Sequence, residues 1–176
     1  HFDGREPLEF TEYLKLSTGI DAHVPPKLLE NIMQSLHMIL GSSYYKLYVP
    51  PKLRMPYQLS KKQAEFWNTV YRKGLGEFLY RNSLDREALA SFEVSTCENI
   101  KAVDFKRANR ILSAIGGGKD SIVTTELLKE GKFKTTTLYI QTQKPNEQVN
   151  KLLHAFKLPN LTIERYLDEK IFLDQK

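Results

Sequence analysis

The stretch ILSAIGGGKDS, residues 111–121, decides the fold of this 176-residue chain. It runs from apolar, strand-like residues through three glycines into a segment whose apolar residues recur at helical spacing, from Ile122 to Leu128, before Gly131. A strand that leads through glycines directly into a helix is typical of a β-loop-α unit. We therefore predict this unit as the centre of an α/β domain.

The residues that follow repeat the alternation of strand and helix. Residues 135–140 are β-branched and apolar and predict a strand, residues 146–156 predict a helix, and residues 161–165 predict another strand. Strands that alternate with helices form parallel sheets. We assign residues 105–176 to the beginning of a Rossmann-like domain with a parallel sheet.

Residues 1–104 lack this regular alternation of strand and helix. Leu8 to Ser17 alternate between apolar and polar residues and predict a half-buried strand, and an apolar helix is predicted from the prolines at 25 and 26 to its end at Gly41. Ser60 and Gln63 have the spacing of a capping box, which predicts the start of a second helix. We expect residues 1–104 to form a small α+β domain.

The three glycines suit a loop that holds a polyphosphate against the backbone. Glycine adopts positive φ and allows close approach, and the unpaired N–H groups of a helix amino terminus attract anions. Lys119 adds a cation, Ser121 can donate a hydroxyl hydrogen bond, and Asp120 can cap the helix or help to hold Mg²⁺. The predicted ATP-phosphate site thus comprises Gly116, Gly117, Gly118, Lys119, Asp120 and Ser121.

Two better-known phosphate loops are excluded by position. A Walker A loop requires glycine where this chain has Ser113, and it requires Ser or Thr where Asp120 follows the lysine. The dinucleotide pattern GxGxxG requires its third glycine at the position of Lys119 or Ser121.

The segment GGGKDS, residues 116–121, resembles the SGGxDS signature of the PP-loop ATP pyrophosphatases, with Gly116 in place of serine. That resemblance implies cleavage of ATP between its α and β phosphates, commonly with formation of an adenylate. It also implies that the loop holds the pyrophosphate.

The upstream runs at Ser43–Leu53 and Gln63–Asp85 narrow the resemblance to one family. They are similar to the amino-terminal region of the UDP-N-acetylmuramoyl-L-alanyl-L-glutamate epimerases, in which a helix containing tryptophan leads into GLGEF-Y-N ahead of GGGKDS. The matching positions are Gly74, Leu75, Gly76, Glu77, Phe78, Tyr80 and Asn82.

This resemblance implies an isomerase of bacterial peptidoglycan precursor synthesis, in the cytoplasm. The terminal L-glutamate of UDP-MurNAc-L-Ala-L-Glu would be inverted to D-glutamate through a carboxyl adenylate, with ATP and Mg²⁺. Two alternatives stay open. One is another AMP-forming PP-loop enzyme, such as an amide-forming ligase or a tRNA-modifying enzyme, and the other is a non-catalytic nucleotide-binding domain.

Further candidate residues lie outside the glycine loop. Lys119, Asp120 and Glu77 are the candidates for catalysis, although a carboxylate such as Glu77 at a helix kink is more often a cap or an ion-pair partner. Ile140 and Gln141 end the second predicted strand, at the sheet edge where adenine is expected. The candidate substrate-binding residues are Tyr45, Lys46, Arg165 and Asp168.

Composition sets the remaining expectations. A net charge of +5 suits an anionic partner, but the basic residues are scattered, so nucleic acid is not expected as a partner. Cys97 is the only cysteine, which favours a reducing compartment, and no apolar run approaches the roughly 20 residues of a membrane span. Because PP-loop domains need about five strands, we expect a carboxyl-terminal segment or a separate chain to complete the sheet.

Overall fold

The structure is a computed structural model that describes residues 8–94, 102–142 and 144–173, apart from the side chain of Ala88. The chain divides into two compact units. One is formed by residues up to 22 together with residues from 106 onward, and the other by residues 23–105. Cys97 lies outside the described residues.

The first unit, here called the sheet unit, is a four-stranded sheet with two long helices. Its strands are β1 (Tyr13–Leu16), β2 (Ile111–Ala114), β3 (Thr135–Thr142) and β4 (Asn160–Tyr166), and its helices are α4 (Lys119–Glu130) and α5 (Glu147–Phe156). A short 3-10 helix at Glu169–Phe172 follows β4. The strand order is β1-β4-β3-β2, so β1 and β2 are the edge strands.

Strands β2, β3 and β4 are parallel, whereas β1 is antiparallel to β4. The predicted α/β class is therefore confirmed, with a sheet that is mixed rather than wholly parallel. The predicted strand at Leu8–Ser17 is shorter, Tyr13–Leu16, and it pairs with β4 of the sheet unit although it lies within the range 1–104.

One face of the sheet is covered by α4 and α5. Ile115 and Tyr139 are buried there against Val149, Leu153 and Phe156 of α5. On the same face, Ser113 of β2 and Thr125 of α4 share a buried hydrogen bond of 2.9 Å. Hydroxyl groups buried at this contact are satisfied by each other, as buried polar groups must be.

The second unit, here called the helical unit, holds three α-helices among its described residues: α1 (Pro26–Tyr48), α2 (Lys61–Gly74) and α3 (Gly76–Arg81). A 3-10 turn at Arg86–Ala88 follows them. The capping box predicted at Ser60 is confirmed, because its hydroxyl accepts from the Gln63 amide and the Gln63 side chain accepts from the Ser60 amide.

The prediction that the first helix ends at Gly41 is wrong. Helix α1 continues to Tyr48 and ends at Val49, which adopts a left-handed conformation with φ 45° ahead of two prolines. Gly41 lies within the helix, where a β-carbon would be 3.7 Å from the hydroxyl oxygen of Tyr71. The packing of α2 on α1 offsets the cost of a glycine inside a helix, about 1 kcal/mol.

Across the described part of the chain, no helix combines the length and the apolar character that crossing a membrane requires.

Candidate functional site

The glycine loop joins β2 to α4 at the carboxyl end of the sheet. Ile115, the last residue before the glycines, is buried and donates its backbone N–H to the carbonyl of Leu138 at 2.8 Å. The backbone of Gly117 has φ 85°, a left-handed conformation that residues other than glycine rarely adopt. The strand thus holds one end of the loop, and Gly117 makes the turn into the helix.

A pocket of about 560 Å³ opens beside the loop, and it is bounded by both helices of the sheet unit. Backbone atoms of the three glycines form one wall, and the first turns of α5 form another. The lining residues are Gly116, Gly117, Gly118, Ile122, Asn146, Gln148, Val149 and Leu152. Its size is within the range of small-molecule sites in proteins.

The amino terminus of α4 differs from those of α2 and α5. Ser60 caps α2, and Asn146 caps α5 by accepting from the amides of Gln148 at 3.0 Å and Val149 at 3.2 Å. At α4 the capping position is Gly118, and no side chain caps the helix. Because the first N–H groups of a helix have no acceptor within the helix, α4 presents donors and the positive end of its dipole at the pocket.

Lys119 and Asp120 occupy the first turn of α4 and are exposed. Within the described residues, neither takes part in an ion pair, so both are available to a bound anion and its counterion. Ser121 is half-buried, and its hydroxyl donates to the carbonyl of Gly118 at 2.8 Å. A hydrogen bond from the Ser121 hydroxyl to phosphate would therefore replace its bond to the Gly118 carbonyl.

The residues at this site fit a nucleoside triphosphate. An uncapped helix terminus and a glycine at positive φ border an open pocket, which matches how backbone amides bind phosphate, and the exposed Lys119 is the first residue of that helix. No group of three or more His, Cys, Asp or Glu side chains among the described residues is placed to hold a metal ion. Magnesium often takes only one or two protein carboxylates together with phosphate oxygens, and Asp120 would be that carboxylate.

Ile140 and Gln141, where adenine is expected, are not among the residues that line this pocket. Both lie near the carboxyl end of β3, and Ile140 is 52% exposed on the face opposite to the one covered by α5.

The candidates in the helical unit have local structural roles. Tyr45 is buried, its hydroxyl accepts from the amide of Ala90 at 2.9 Å, and its ring packs edge-on against Tyr71. Lys46, its neighbour in the last turn of α1, is exposed. Glu77 is highly exposed on α3 and forms an ion pair with Arg81 at 3.0 Å. These contacts describe Tyr45 as a core residue and Glu77 as a surface ion-pair partner.

Arg165 and Asp168 tie the amino-terminal segment to the end of β4. The guanidinium of Arg165 donates to both carboxylate oxygens of Glu12, at 2.6 and 3.3 Å. Asp168 accepts from the amides of Thr11 at 2.8 Å and Lys170 at 3.0 Å. These two backbone hydrogen bonds, the Thr11 bond first, lower the pKa of the Asp168 carboxyl below its usual value of 3.8.

The structure adds pocket residues that sequence reasoning missed. Asn146, Gln148 and Val149 line the pocket from α5, a helix that starts close to the glycine loop only in the folded sheet. A signal for them was present, because Asn146 is a favourable helix cap and follows the carboxyl end of a predicted strand, where parallel sheets bind ligands.

Comparison with known proteins identifies the family. A family model described as the MurL N-terminal domain matches residues 1–176. No solved structure matches the chain.

Three curated relatives carry the same name, UDP-N-acetyl-alpha-D-muramoyl-L-alanyl-L-glutamate epimerase. The protein of Salinispora tropica is 35% identical over 82% of this chain and 31% of its own length. The protein of a Micromonospora species is 31% identical over 97% of this chain and 38% of its own length. The protein of Xanthomonas oryzae pv. oryzae is 33% identical over 82% of this chain and 32% of its own length.

The chain therefore spans about a third of the length of the curated relatives that it matches. Because the family model covers all 176 residues, this chain belongs to the MurL family and corresponds to its N-terminal domain.

Proposed function

We propose that this chain is the ATP-binding amino-terminal part of an enzyme that inverts the terminal L-glutamate of UDP-MurNAc-L-Ala-L-Glu to D-glutamate. The three relatives are named as epimerases of this substrate, which supports the reaction class. The observation that carries the role of ATP is the uncapped amino terminus of α4 behind a glycine with φ 85°. The reaction belongs to peptidoglycan precursor synthesis in the bacterial cytoplasm.

The chemistry explains why an epimerase would consume ATP. The Cα–H bond next to an ionised carboxylate is very weakly acidic, because the carboxylate already carries negative charge and cannot stabilise more. When the carboxylate attacks the α-phosphate, an acyl-adenylate forms and pyrophosphate leaves. A base then removes the α-proton to give an enolate, a proton returns to the opposite face, and water hydrolyses the adenylate to UDP-MurNAc-L-Ala-D-Glu and AMP.

In this proposal the described residues act on the phosphates rather than on the α-carbon. The backbone amides at the start of α4 donate hydrogen bonds to the leaving pyrophosphate and stabilise the charge that develops on it, and Lys119 neutralises part of that charge. Asp120 would hold Mg²⁺, which would supply positive charge that offsets the charge of the phosphates. Gln148, which lines the opposite wall of the pocket, would donate a hydrogen bond from its side-chain amide to the nucleotide.

The groups that remove and return the α-proton are not assigned to this chain. The relatives extend well beyond the matched region, so we propose that the complete protein supplies those groups and that residues 1–176 alone are catalytically incomplete.

The test is incubation of the complete protein with UDP-MurNAc-L-Ala-L-Glu, ATP and Mg²⁺, followed by chiral analysis of glutamate and chromatography of nucleotides. The proposal expects D-glutamate together with AMP in amounts that depend on the dipeptide substrate. Formation of ADP would exclude the adenylate, and AMP without D-glutamate would favour an AMP-forming ligase. Epimerisation without ATP would exclude any role for the nucleotide.

A further inference from the structure

The glycine loop, residues 116–121, begins with three residues that have no side chains to hold its shape. A β-carbon added to Gly116 or Gly118 would meet no atom of the described residues within 4 Å, and no side chain caps α4. A loop of this kind keeps one conformation only if the strand before it and the helix after it are held in fixed positions.

Ser113 and Thr125 connect the two sides of this loop in the interior of the sheet unit. Ser113 lies in β2 ahead of the glycines, and Thr125 lies in the second turn of α4. Their hydroxyl oxygens are 2.9 Å apart, and Thr125 also donates to the backbone carbonyl of Ser121, the last residue of the loop, at 2.8 Å. Ser113 is 5% exposed and Thr125 is fully buried.

The number of hydroxyl protons determines which group donates in each of these bonds. A threonine hydroxyl has one proton, and Thr125 uses it on the carbonyl of Ser121. The bond between the two hydroxyls is therefore donated by Ser113. The hydrogen bonds run in one direction from Ser113 through Thr125 to Ser121, and we call these three groups the hydroxyl clamp.

An apolar contact at this place would fill the same space without fixing the position of α4 along β2. Hydrophobic contacts have no preferred direction, whereas a hydrogen bond weakens steeply as its geometry departs from the optimum. β2 is itself held by its ladder to β3, in which Ser113 is the neighbour of Thr137. The hydroxyl clamp therefore ties the first turn of α4 to the sheet.

We propose that Ser113 and Thr125 are positioning residues for the phosphate site, because they hold the amides at the start of α4 at a fixed place relative to the end of β2. Neither side chain lines the pocket, so both act through the backbone of the loop. This inference rests on the proposed binding of ATP at the loop. It adds that the affinity depends on two buried hydroxyls outside the pocket.

The test compares the complete protein with four variants. Thr125→Val keeps the shape of the side chain, removes both of its hydrogen bonds and leaves the buried Ser113 hydroxyl without this acceptor. The double variant Ser113→Ala/Thr125→Val also removes that hydroxyl, so its stability should recover. Thr125→Ser keeps the hydroxyl. Thr124→Val is the matched control, because it makes the same replacement at the exposed neighbouring residue.

Calorimetry measures the dissociation constant for ATP with Mg²⁺, and denaturant unfolding measures stability. The proposal expects the dissociation constant to rise by about tenfold or more in both Thr125→Val and the double variant, although only Thr125→Val loses stability. Thr125→Ser and Thr124→Val should stay within about threefold of the unmutated protein in affinity.

Hydrogen exchange of the nucleotide-free protein, followed by mass spectrometry, measures how firmly the first turn of α4 is held. The first helical amide there is that of Ile122, which donates to the carbonyl of Gly118 at 3.4 Å. Protection of the amides at residues 122–125, corrected for the intrinsic rates of each sequence, should fall by about tenfold or more in Thr125→Val and in the double variant. It should not change in Thr124→Val.

A purely structural role for the two hydroxyls would make ATP affinity follow stability. The double variant would then bind ATP as tightly as the unmutated protein, and that result would overturn the proposal. Unchanged amide protection in the double variant would overturn it as well. If the unmutated protein does not bind ATP, the proposed function fails, and hydrogen exchange still decides whether the two hydroxyls hold the loop.

Discussion

A β-carbon added to Gly117 would lie 3.0 Å from Cγ2 of Val149, the buried valine in the first turn of α5. Such a contact is tighter than almost all contacts of real β-carbons, and Gly117 also has φ 85°. The residue at this position is thus restricted twice, once by its own backbone and once by the neighbouring helix. Any side chain here would displace the side chain of Val149 or change the turn at Gly117.

We expect Gly117→Ala to destabilise the complete protein by about 1–2 kcal/mol, because the β-carbon of alanine lies too close to a backbone carbonyl oxygen in the left-handed conformation. ATP affinity should fall at least tenfold, since the turn can no longer present its amides in the same positions. Denaturant unfolding and titration calorimetry measure the two effects. Gly116→Ala is the control, because a β-carbon there meets nothing within 4 Å and φ is not positive. Equal losses in both variants would contradict this account of the loop.

Lys119→Met should weaken ATP binding by about tenfold to a hundredfold while leaving stability almost unchanged. A hydrogen bond to a charged group contributes about 1.5–3 kcal/mol, and Lys119 forms no ion pair within the described residues whose loss would unfold the protein. Lys129→Met on the same helix is the control, because Lys129 forms an ion pair with Glu126 at 3.0 Å. If both variants bind ATP equally well, Lys119 does not contact the nucleotide.

Glu12→Gln should destabilise the sheet unit by about 2 kcal/mol, because it removes the negative charge that pairs with the partly buried guanidinium of Arg165. The side chain of Glu12 is only 9% exposed. Lys15→Met, in the strand β1 that follows Glu12, provides a matched control, since the pair of Lys15 with Glu164 is largely exposed and should contribute less than about 0.5 kcal/mol. Chemical unfolding compares the two, and a larger effect from Lys15→Met would refute the prediction.

Asp168→Asn should cost stability at neutral pH and progressively less in acid. The pKa of Asp168 is lower in the folded protein than its usual value of 3.8, so the ionised group stabilises the fold above that value. This contribution is lost as the pH falls through the lowered pKa, where the folded state also takes up the proton. Unfolding free energies of the unmutated protein and the Asp168→Asn variant, measured at pH 7 and pH 3, test this. If the variant loses more stability at pH 3 than at pH 7, the prediction is contradicted.

The parts of the fold that depend on neighbouring residues could be predicted from the sequence. The capping box of Ser60 and Gln63 and the β-loop-α unit at the glycines are local, so short stretches carry the whole signal. The length of α1 was not predictable in this way. Gly41 is a helix-stop signal on its own, but it lies where α2 packs on α1, next to the hydrogen bond that the hydroxyl of Tyr71 donates to the carbonyl of Met38 at 2.8 Å.

The candidate site also has one part formed by neighbouring residues and another that depends on residues distant in sequence. Its glycine loop, residues 116–121, is contiguous in sequence and could be selected from the sequence alone, and the binding of phosphate there stays a proposal. Its second wall comes from Asn146 and Val149, which only the packing of α5 brings to the loop. Tyr45 was predicted at a binding surface, but its hydroxyl accepts from Ala90 in the core. A tyrosine beside prolines gives the same sequence signal in both environments.

The most direct test of the central claim is a crystal structure of the complete protein with Mg²⁺ and an ATP analogue that carries a methylene bridge between its α and β phosphates. The account predicts β- and γ-phosphate oxygens about 3 Å from backbone amides of the 116–121 loop, with the ammonium group of Lys119 beside them. A triphosphate bound at another surface, with this loop free of phosphate, would contradict it.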